Sequence, residues 1–284
     1  MTTEELNGKR ALVTGGGTGI GVGITECLLS RGATVTIAGR RRDVLDSAAE
    51  DFAKRHGDRI RVASCDITDE KSVAEAVRIA GDGVGVDIVV ANAGGSGSGG
   101  LAPFLLLDQE AWLDVCRLNI VGTANTIREA ALDMRGRGGA IVVISSAGSA
   151  GPEPCFSHYS ASKAAVDMLV QNAAQELGDF GIRVNAVQPG VVPSEIAAEA
   201  WDGNEDQYAH ILKNTPLGRT GTAIEVGEAV SFLSGPHSEW VTGQIFAVDG
   251  GLTIPLVANL QGLARKIHGD EAIDANLGPR LASF

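Results

Sequence analysis

The chain is short of cysteine, of positive charge and of long apolar runs. Its four cysteines are Cys27, Cys65, Cys116 and Cys155, and no two of them form a CxxC pair. That spread offers neither a disulfide framework nor a zinc-ligand set, so reduced thiols and no metal site are expected. Lys and Arg number 23 against 35 Asp and Glu, a formal net charge of −12. An acidic surface repels phosphate backbones and anionic lipid, which argues against nucleic acid and membrane as partners. No stretch approaches the ~18 apolar residues of a membrane span. Residues 1–10 are polar, without the apolar core of a signal peptide, and residues 280–284 carry no lipidation or peroxisomal signal. Together these absences predict a soluble, cytoplasmic protein.

What is present is a chain of 284 residues, 44% apolar, with 38 glycines. This is enough to bury a sizeable core, and the glycines point to tight turns and to backbone brought close to a ligand. Short runs rich in Val and Ile lie at 11–13, 34–38, 60–63, 86–91, 140–144, 184–187 and 245–248. They read as strands buried on both faces of a parallel sheet. Helical patterns lie between them, at 20–31, 43–56, 70–80, 108–135, 159–180 and 224–233. Strict alternation predicts an α/β fold: one Rossmann-type doubly wound parallel sheet of about seven strands, with helices on both faces. With no linker and no repeat, 1–284 reads as a single dinucleotide-binding and catalytic domain. The run GGSGSGG at 94–100 reads as a flexible loop. A tail, 252–284, trails the last strand. In it Val257, Leu260, Leu263, Ala264 and Ile267 recur at helical spacing, so it is expected to dock as a weak helix near a substrate lid, of its own subunit or a neighbour.

The first strand runs into Thr14-Gly15-Gly16-Gly17-Thr18-Gly19-Ile20-Gly21, and a helix follows. Such a turn presents backbone N–H groups and a helix N-terminus to an anion. The spacing is GxxxGxG rather than GxGxxG. The second strand is followed by Arg40, Arg41 and Arg42, and no Asp or Glu occurs from 32 to 42. An acid in this place suits the ribose 2′-hydroxyl of NAD; basic residues suit the 2′-phosphate of NADP. Three arginines opening a helix also oppose its dipole, which is explicable when an anion is to be placed there; the alternative is a solvated charge run.

Tyr159 and Lys163 stand at i, i+4 on one helical face. An ammonium beside a phenol lowers the phenolic pKa from its usual value near 10, which allows Tyr159 to act as an acid or base. Ser146 follows the strand 140–144, where open α/β sheets carry ligand sites, and its hydroxyl is suited to an oxygen that gains negative charge.

At this point the sequence resembles the short-chain dehydrogenase/reductase family, from about Asn7 to Leu252. The resemblance rests on the motif at 14–21, Cys65-Asp66-Ile67, Asn92-Ala93-Gly94, Leu118-Asn119, Ile144-Ser145-Ser146, Tyr159-x-x-x-Lys163, Pro189-Gly190 and Val248-Asp249-Gly250-Gly251. It implies a catalytic set of Asn119, Ser146, Tyr159 and Lys163. In that set Tyr159 is the acid/base, Ser146 orients the carbonyl, Lys163 binds the nicotinamide ribose and lowers the Tyr159 pKa, and Asn119 anchors a water that links Lys163 to solvent. It implies cofactor contacts at Gly15, Gly17, Thr18, Gly19, Ile20, Gly21, Arg40, Arg41, Asp66 (to the adenine), Ile67, Asn92, Ala93, Gly94, Tyr159, Lys163, Pro189, Gly190, Val192 and Ser194. Ser194 stands where members usually have Thr. Thr18 stands where many NADP-preferring members place a basic residue, so one 2′-phosphate contact is missing. Cys155 and His158 are expected to line the substrate side, and 191–215, with Trp201 and Tyr208, to form a substrate lid. Helices 108–135 and 159–180 pair between subunits in the family, which implies a homotetramer.

The implied activity is NADP(H)-dependent interconversion of a ketone and a secondary alcohol, with 3-oxoacyl thioesters as one candidate class of substrate. A steroid or other secondary-alcohol dehydrogenase using NAD(H) is a second reading. A catalytically silent nucleotide-binding regulatory protein is a third, and the intact Asn119, Ser146, Tyr159 and Lys163 oppose it.

Overall fold

Seven strands form where the apolar runs predict them. They are β1 (Arg10–Thr14), β2 (Thr34–Gly39), β3 (Ile60–Ser64), β4 (Ile88–Ala91), β5 (Gly139–Ile144), β6 (Ile182–Pro189) and β7 (Ile245–Val248). The computed structural model of the chain describes residues 5–193, 205–254 and 260–276, apart from the side chains of Glu205, Gln207 and Tyr208. Ser194, Trp201 and the Tyr208 side chain of the expected lid therefore lie outside the described residues. All strand pairs are parallel, in the order β3-β2-β1-β4-β5-β6-β7, so the chain reverses direction of growth between β1 and β4. Successive residues bury on opposite faces. Leu12, Val89 and Ile141 join one core, and Val13, Val90 and Val142 the other.

The helices are α1 (Ile20–Ser30), α2 (Arg42–His56), α3 (Glu70–Gly81), α4 (Gln109–Cys116), α5 (Gly122–Met134), α6 (Ser157–Leu177), α7 (Glu205–Asn214), α8 (Ala223–Ser234), α9 (Gln261–His268) and α10 (Asp270–Asn276). Helices α1, α2 and α8 cover one face of the sheet; α3, α5 and α6 cover the other. No described helix is long and apolar enough to cross a membrane.

Four expectations need correction. The pattern at 108–135 is not one regular helix: a π-turn, Arg117–Val121, separates α4 from α5. The loop at 94–100 is strapped down. Gly95 N–H donates to Asn119 Oδ1 at 3.0 Å, Ser98 N–H to Asp114 Oδ2 at 2.7 Å, and Ala102 N–H to the Cys155 carbonyl at 2.8 Å. His158 does not line the substrate side; it is fully buried, with Nε2 3.1 Å from the Ser96 carbonyl of the same strap. The tail helix α9 forms, but Leu260, Leu263 and Ile267 are 66%, 59% and 66% exposed, so its stripe is not docked on its own chain. Helices of eight and seven residues offer little surface to bury, and Arg265 ties α9 to α10 through Asp270 and Asp274 instead.

Candidate active site

The β1–α1 turn opens at the point where strand order reverses, and the sheet braces it. Thr14 Oγ1 accepts from the Asn92 and Ala93 N–H groups at 3.0 and 3.1 Å, while Asn92 Nδ2 donates to the Thr14 and Gly15 carbonyls at 2.9 and 3.1 Å. Asn92 therefore joins β4 to the turn. Gly21 must be glycine, because a Cβ there would lie 2.0 Å from the Gly15 carbonyl oxygen. Gly19, at φ 53°, precedes α1 without a side-chain cap, which leaves the first N–H groups of the helix to face a ligand.

Beside this turn lies a cleft of about 460 Å³, lined by Gly15, Gly17, Thr18, Gly39, Arg40, Arg41, Asp66, Ile67, Ala93 and Gly94 among others. Nine of the expected cofactor residues meet there. The sequence reading assigned no cofactor contact to the apolar walls Val44, Leu45, Cys65 and Leu118, although Cys65 and Leu118 stand inside two of the motifs. Ile20 and Val192 are half-buried against the core beside the turn and the end of β6. Pro189 ends β6, and Gly190 is pressed against Asp249: a Cβ would stand 2.7 Å from Asp249 Cα. An uncapped helix end above a glycine-walled cleft fits a dinucleotide. Arg40 and Arg41 are exposed at the rim, whereas Arg42 is occupied by Asp46 at 2.8 Å. Asp66 accepts from Thr68 N–H and Oγ1 at 2.9 and 2.8 Å, and these bonds, with the charge of Arg40, hold its carboxyl below the usual value.

Gly94 connects the cleft to the catalytic side chains. A Cβ on it would stand 2.9 Å from Asn119 Oδ1 and 3.5 Å from Lys163 Nζ. Asn119 is buried in the π-turn; its amide donates to the Gly95 carbonyl at 2.9 Å and to Ser162 Oγ at 2.8 Å. Both amide hydrogens are thus engaged within the protein. Ser162, which in turn donates to the Tyr159 carbonyl at 2.7 Å, is a tie between the π-turn and α6 that sequence reasoning missed. Its only signal was its place within the Tyr159–Lys163 motif.

Ser146 Oγ accepts from Gly148 N–H at 3.1 Å, which leaves its own hydrogen free to donate. Tyr159 stacks on Phe156 with ring centroids 4.4 Å apart. Lys163 is buried, donates from Nζ to the Ile144 carbonyl at 2.9 Å, and stands 5.7 Å from the Tyr159 ring centroid. Burial lowers its pKa to about 8, and the charge of Asp167 opposes the fall. The lowering of the Tyr159 pKa expected from Lys163 does not prevail in this arrangement. Burial raises the phenol, Glu153 adds to the rise and a hydrogen bond from Ser146 opposes it, while the ammonium is held at a carbonyl under the ring rather than at the hydroxyl. Chemically, one serine hydroxyl and one phenol stand within hydrogen-bonding reach of each other beside a buried cation. That arrangement can polarise a carbonyl and give it a proton.

A sequence model described as Enoyl-(Acyl carrier protein) reductase matches residues 15–253. Glucose 1-dehydrogenase of Gluconobacter oxydans (strain 621H) is 35% identical over 257 residues, covering 88% of this chain and 94% of the relative. The 3-oxoacyl-(acyl-carrier-protein) reductase of Chlamydia muridarum (strain MoPn / Nigg) is 33% identical over 250 residues, covering 87% and 98%. Among solved structures, a gluconate 5-dehydrogenase from Burkholderia cenocepacia J2315 in complex with NADP and tartrate superposes with a TM-score of 0.83 at 32% identity, covering 90% of this chain and 99% of that one.

Proposed function

Because the chain belongs to the short-chain dehydrogenase/reductase family, oxidoreductases acting on CH–OH and C=O groups, we propose that it is an NADP(H)-dependent enzyme interconverting a ketone and a secondary alcohol. The observation that carries this reading is the meeting of Ser146, Tyr159 and Lys163 beside Gly94, which also lines the cleft rimmed by Arg40 and Arg41. When bound, the nicotinamide supplies the hydride. Ser146 donates to the carbonyl oxygen and fixes its direction. Tyr159 gives that oxygen its phenolic proton as negative charge develops, and takes it back in the oxidative direction. The Lys163 ammonium, under the ring, favours the phenolate left behind. Gly15, Gly17, Thr18, Asp66 and Ile67 would hold the nucleotide half, Gly94 and Lys163 the ribose next to the reacting atoms.

NADP rather than NAD rests on two exposed arginines in the place where an acid would meet a 2′-hydroxyl, and the NADP complex of the Burkholderia dehydrogenase agrees with this choice. Substrates range from a sugar to a 3-oxoacyl thioester among the named relatives, so a 3-oxoacyl thioester and polyols belong in the same panel. A cytoplasmic homotetramer completes the reading, in keeping with four free cysteines and with apolar surfaces on two sides of the subunit.

The test is NADPH oxidation against ketones, 3-oxoacyl thioesters and sugar ketones, with Tyr159→Phe and Arg40→Asp beside the wild type. Tyr159→Phe is expected to lose about 100-fold or more in turnover with NADPH affinity unchanged. Arg40→Asp is expected to weaken NADPH far more than NADH. Near-normal turnover in the first variant, or equal wild-type affinity for the two nucleotides, overturns the corresponding half of the proposal.

A further inference from the structure

Behind the catalytic side chains lies a polar array that the chemistry above does not use. Asp167 stands one helical turn beyond Lys163 on α6, two turns beyond Tyr159. Gln188 is the next-to-last residue of β6 and is buried, and Ser149 closes the short turn that begins after Ser146. Gln188 Nε2 donates to Asp167 Oδ2 at 2.8 Å and to Ser149 Oγ at 2.7 Å. Ser149 Oγ donates to the Ser146 carbonyl at 2.6 Å. The direction of this chain is forced from one end. A carboxylate only accepts, so the Gln188 amide must turn its nitrogen towards Asp167; both amide hydrogens are then engaged, and the Ser149 hydroxyl must point its own hydrogen at Ser146. The other oxygen, Asp167 Oδ1, is buried without a hydrogen-bond partner among the described residues.

An unpartnered carboxylate oxygen taken from water is destabilising, and its persistence calls for an explanation. Its surroundings supply one. Among the described residues, the charged groups that bear on the reacting pair are Asp167 and, from the loop between β5 and α6, Glu153, which bears on Tyr159. The contacts that β5 and the loop after β4 present to Lys163 are neutral: the Ile144 carbonyl and Gly94. Among the described residues, Asp167 is therefore the one carboxylate that compensates the buried ammonium.

We propose that Asp167 is a positioning residue for both partners of Tyr159: it fixes Ser146 through Gln188 and Ser149, and it keeps Lys163 charged through its own negative charge. The inference rests on the proposed reductase activity for its kinetic arm alone. Asn at 167 keeps an acceptor for Gln188 and removes the charge; Gln188→Leu and Ser149→Ala cut the hydrogen-bonded chain and keep the charge.

Carbon-13-labelled lysine, with the Lys163 signal identified by its loss in Lys163→Arg, reads the titration of Lys163 without any substrate. In Asp167→Asn its midpoint is expected to fall below the wild-type value of about 8, and in Gln188→Leu to stay there. An unmoved midpoint in Asp167→Asn overturns the proposal even if the protein proves not to be a reductase. On the best ketone of the panel, Gln188→Leu and Ser149→Ala are expected to lower kcat roughly ten- to hundredfold, with KM and NADPH affinity unchanged. The double variant should be no worse than the poorer single variant, because both break the same chain. The alkaline limb of the reductive pH profile should shift to lower pH in Asp167→Asn alone. Losses that multiply in the double variant, or that fall on KM and melting temperature instead of kcat, overturn the positioning role. A wild type that turns over nothing on the panel overturns the proposed function, while the lysine titration still decides this inference.

Discussion

Lys163 holds its charge against its surroundings. An ammonium removed from water and given one carbonyl is pushed from the usual lysine value down to about 8. Over the window between about pH 8 and the ordinary lysine value of ~10.4, the folded protein binds fewer protons than the unfolded chain, so stability rises with pH there; below that window Lys163 costs roughly 3 kcal/mol. Lys163→Met is therefore expected to raise the melting temperature by several degrees at pH 7, with the difference gone near pH 10.5, while turnover collapses. Thermal denaturation of the two proteins at both pH values checks this, and equal melting at pH 7 would contradict it. The same group sets the sign for catalysis: reduction needs the ammonium, so its rate should fall as pH rises through about 8.

At the scale of elements, the β1–α1 turn depends on a helix nearly 200 residues away in sequence. Helices α1 and α8 touch backbone to backbone. A Cβ on Gly23 would lie 2.2 Å from the Ala223 carbonyl oxygen, and one on Gly227 would lie 2.5 Å from the Gly23 carbonyl oxygen. Cys27 sits in the same seam, its thiol pushed up to about 12 by burial, and is inert as a nucleophile. Gly227→Ala should therefore displace α1, whose N-terminus faces the nucleotide cleft. The expected result is a loss of about 1–3 kcal/mol of stability together with weaker NADPH binding, read by thermal denaturation and nucleotide fluorescence. Gly262→Ala in α9, where a Cβ meets nothing within 4 Å, is the control and should change neither. Wild-type NADPH affinity in Gly227→Ala would separate the helix seam from the cleft.

For the whole molecule, two apolar surfaces on different sides of the subunit bear on assembly. One is a groove of about 330 Å³ between α5 and α6, lined by Ile127, Ala131, Leu132, Leu169 and Phe180 among others, with Met168 57% exposed nearby. The other lies at the β7 edge of the sheet, with Phe246 partly exposed and Trp240 fully exposed. In the proposed tetramer each patch would meet its own copy about a two-fold axis, and two such sets of contacts close the assembly. Light scattering should find a tetramer for the wild type and dimers for Leu132→Glu and for Trp240→Glu. A wild-type monomer at micromolar concentration would remove the basis for pairing. Because α6 carries Tyr159, Lys163 and Asp167 as well as one wall of the groove, loss of that contact should also lower kcat.

The amino-acid sequence alone determined the strands, the glycine turn and the identities of Ser146, Tyr159 and Lys163. Strands buried on both faces are continuous apolar runs, and a turn or a helical face is a spacing of a few residues, so each is written locally. The tertiary structure decided everything that joins distant segments. Asn119 and Ser162, 43 residues apart, meet only because the π-turn lies against α6. His158 reads as a substrate-side residue by its place before Tyr159, and proves to be the buried post of the strap at 94–100. The Lys163 charge and the Tyr159 proton depend on burial, which spacing does not report. Asp167 and Gln188 belong to no local pattern; their meeting depends on how α6 packs on β6, and a hydrogen bond between elements becomes visible only when that packing is known.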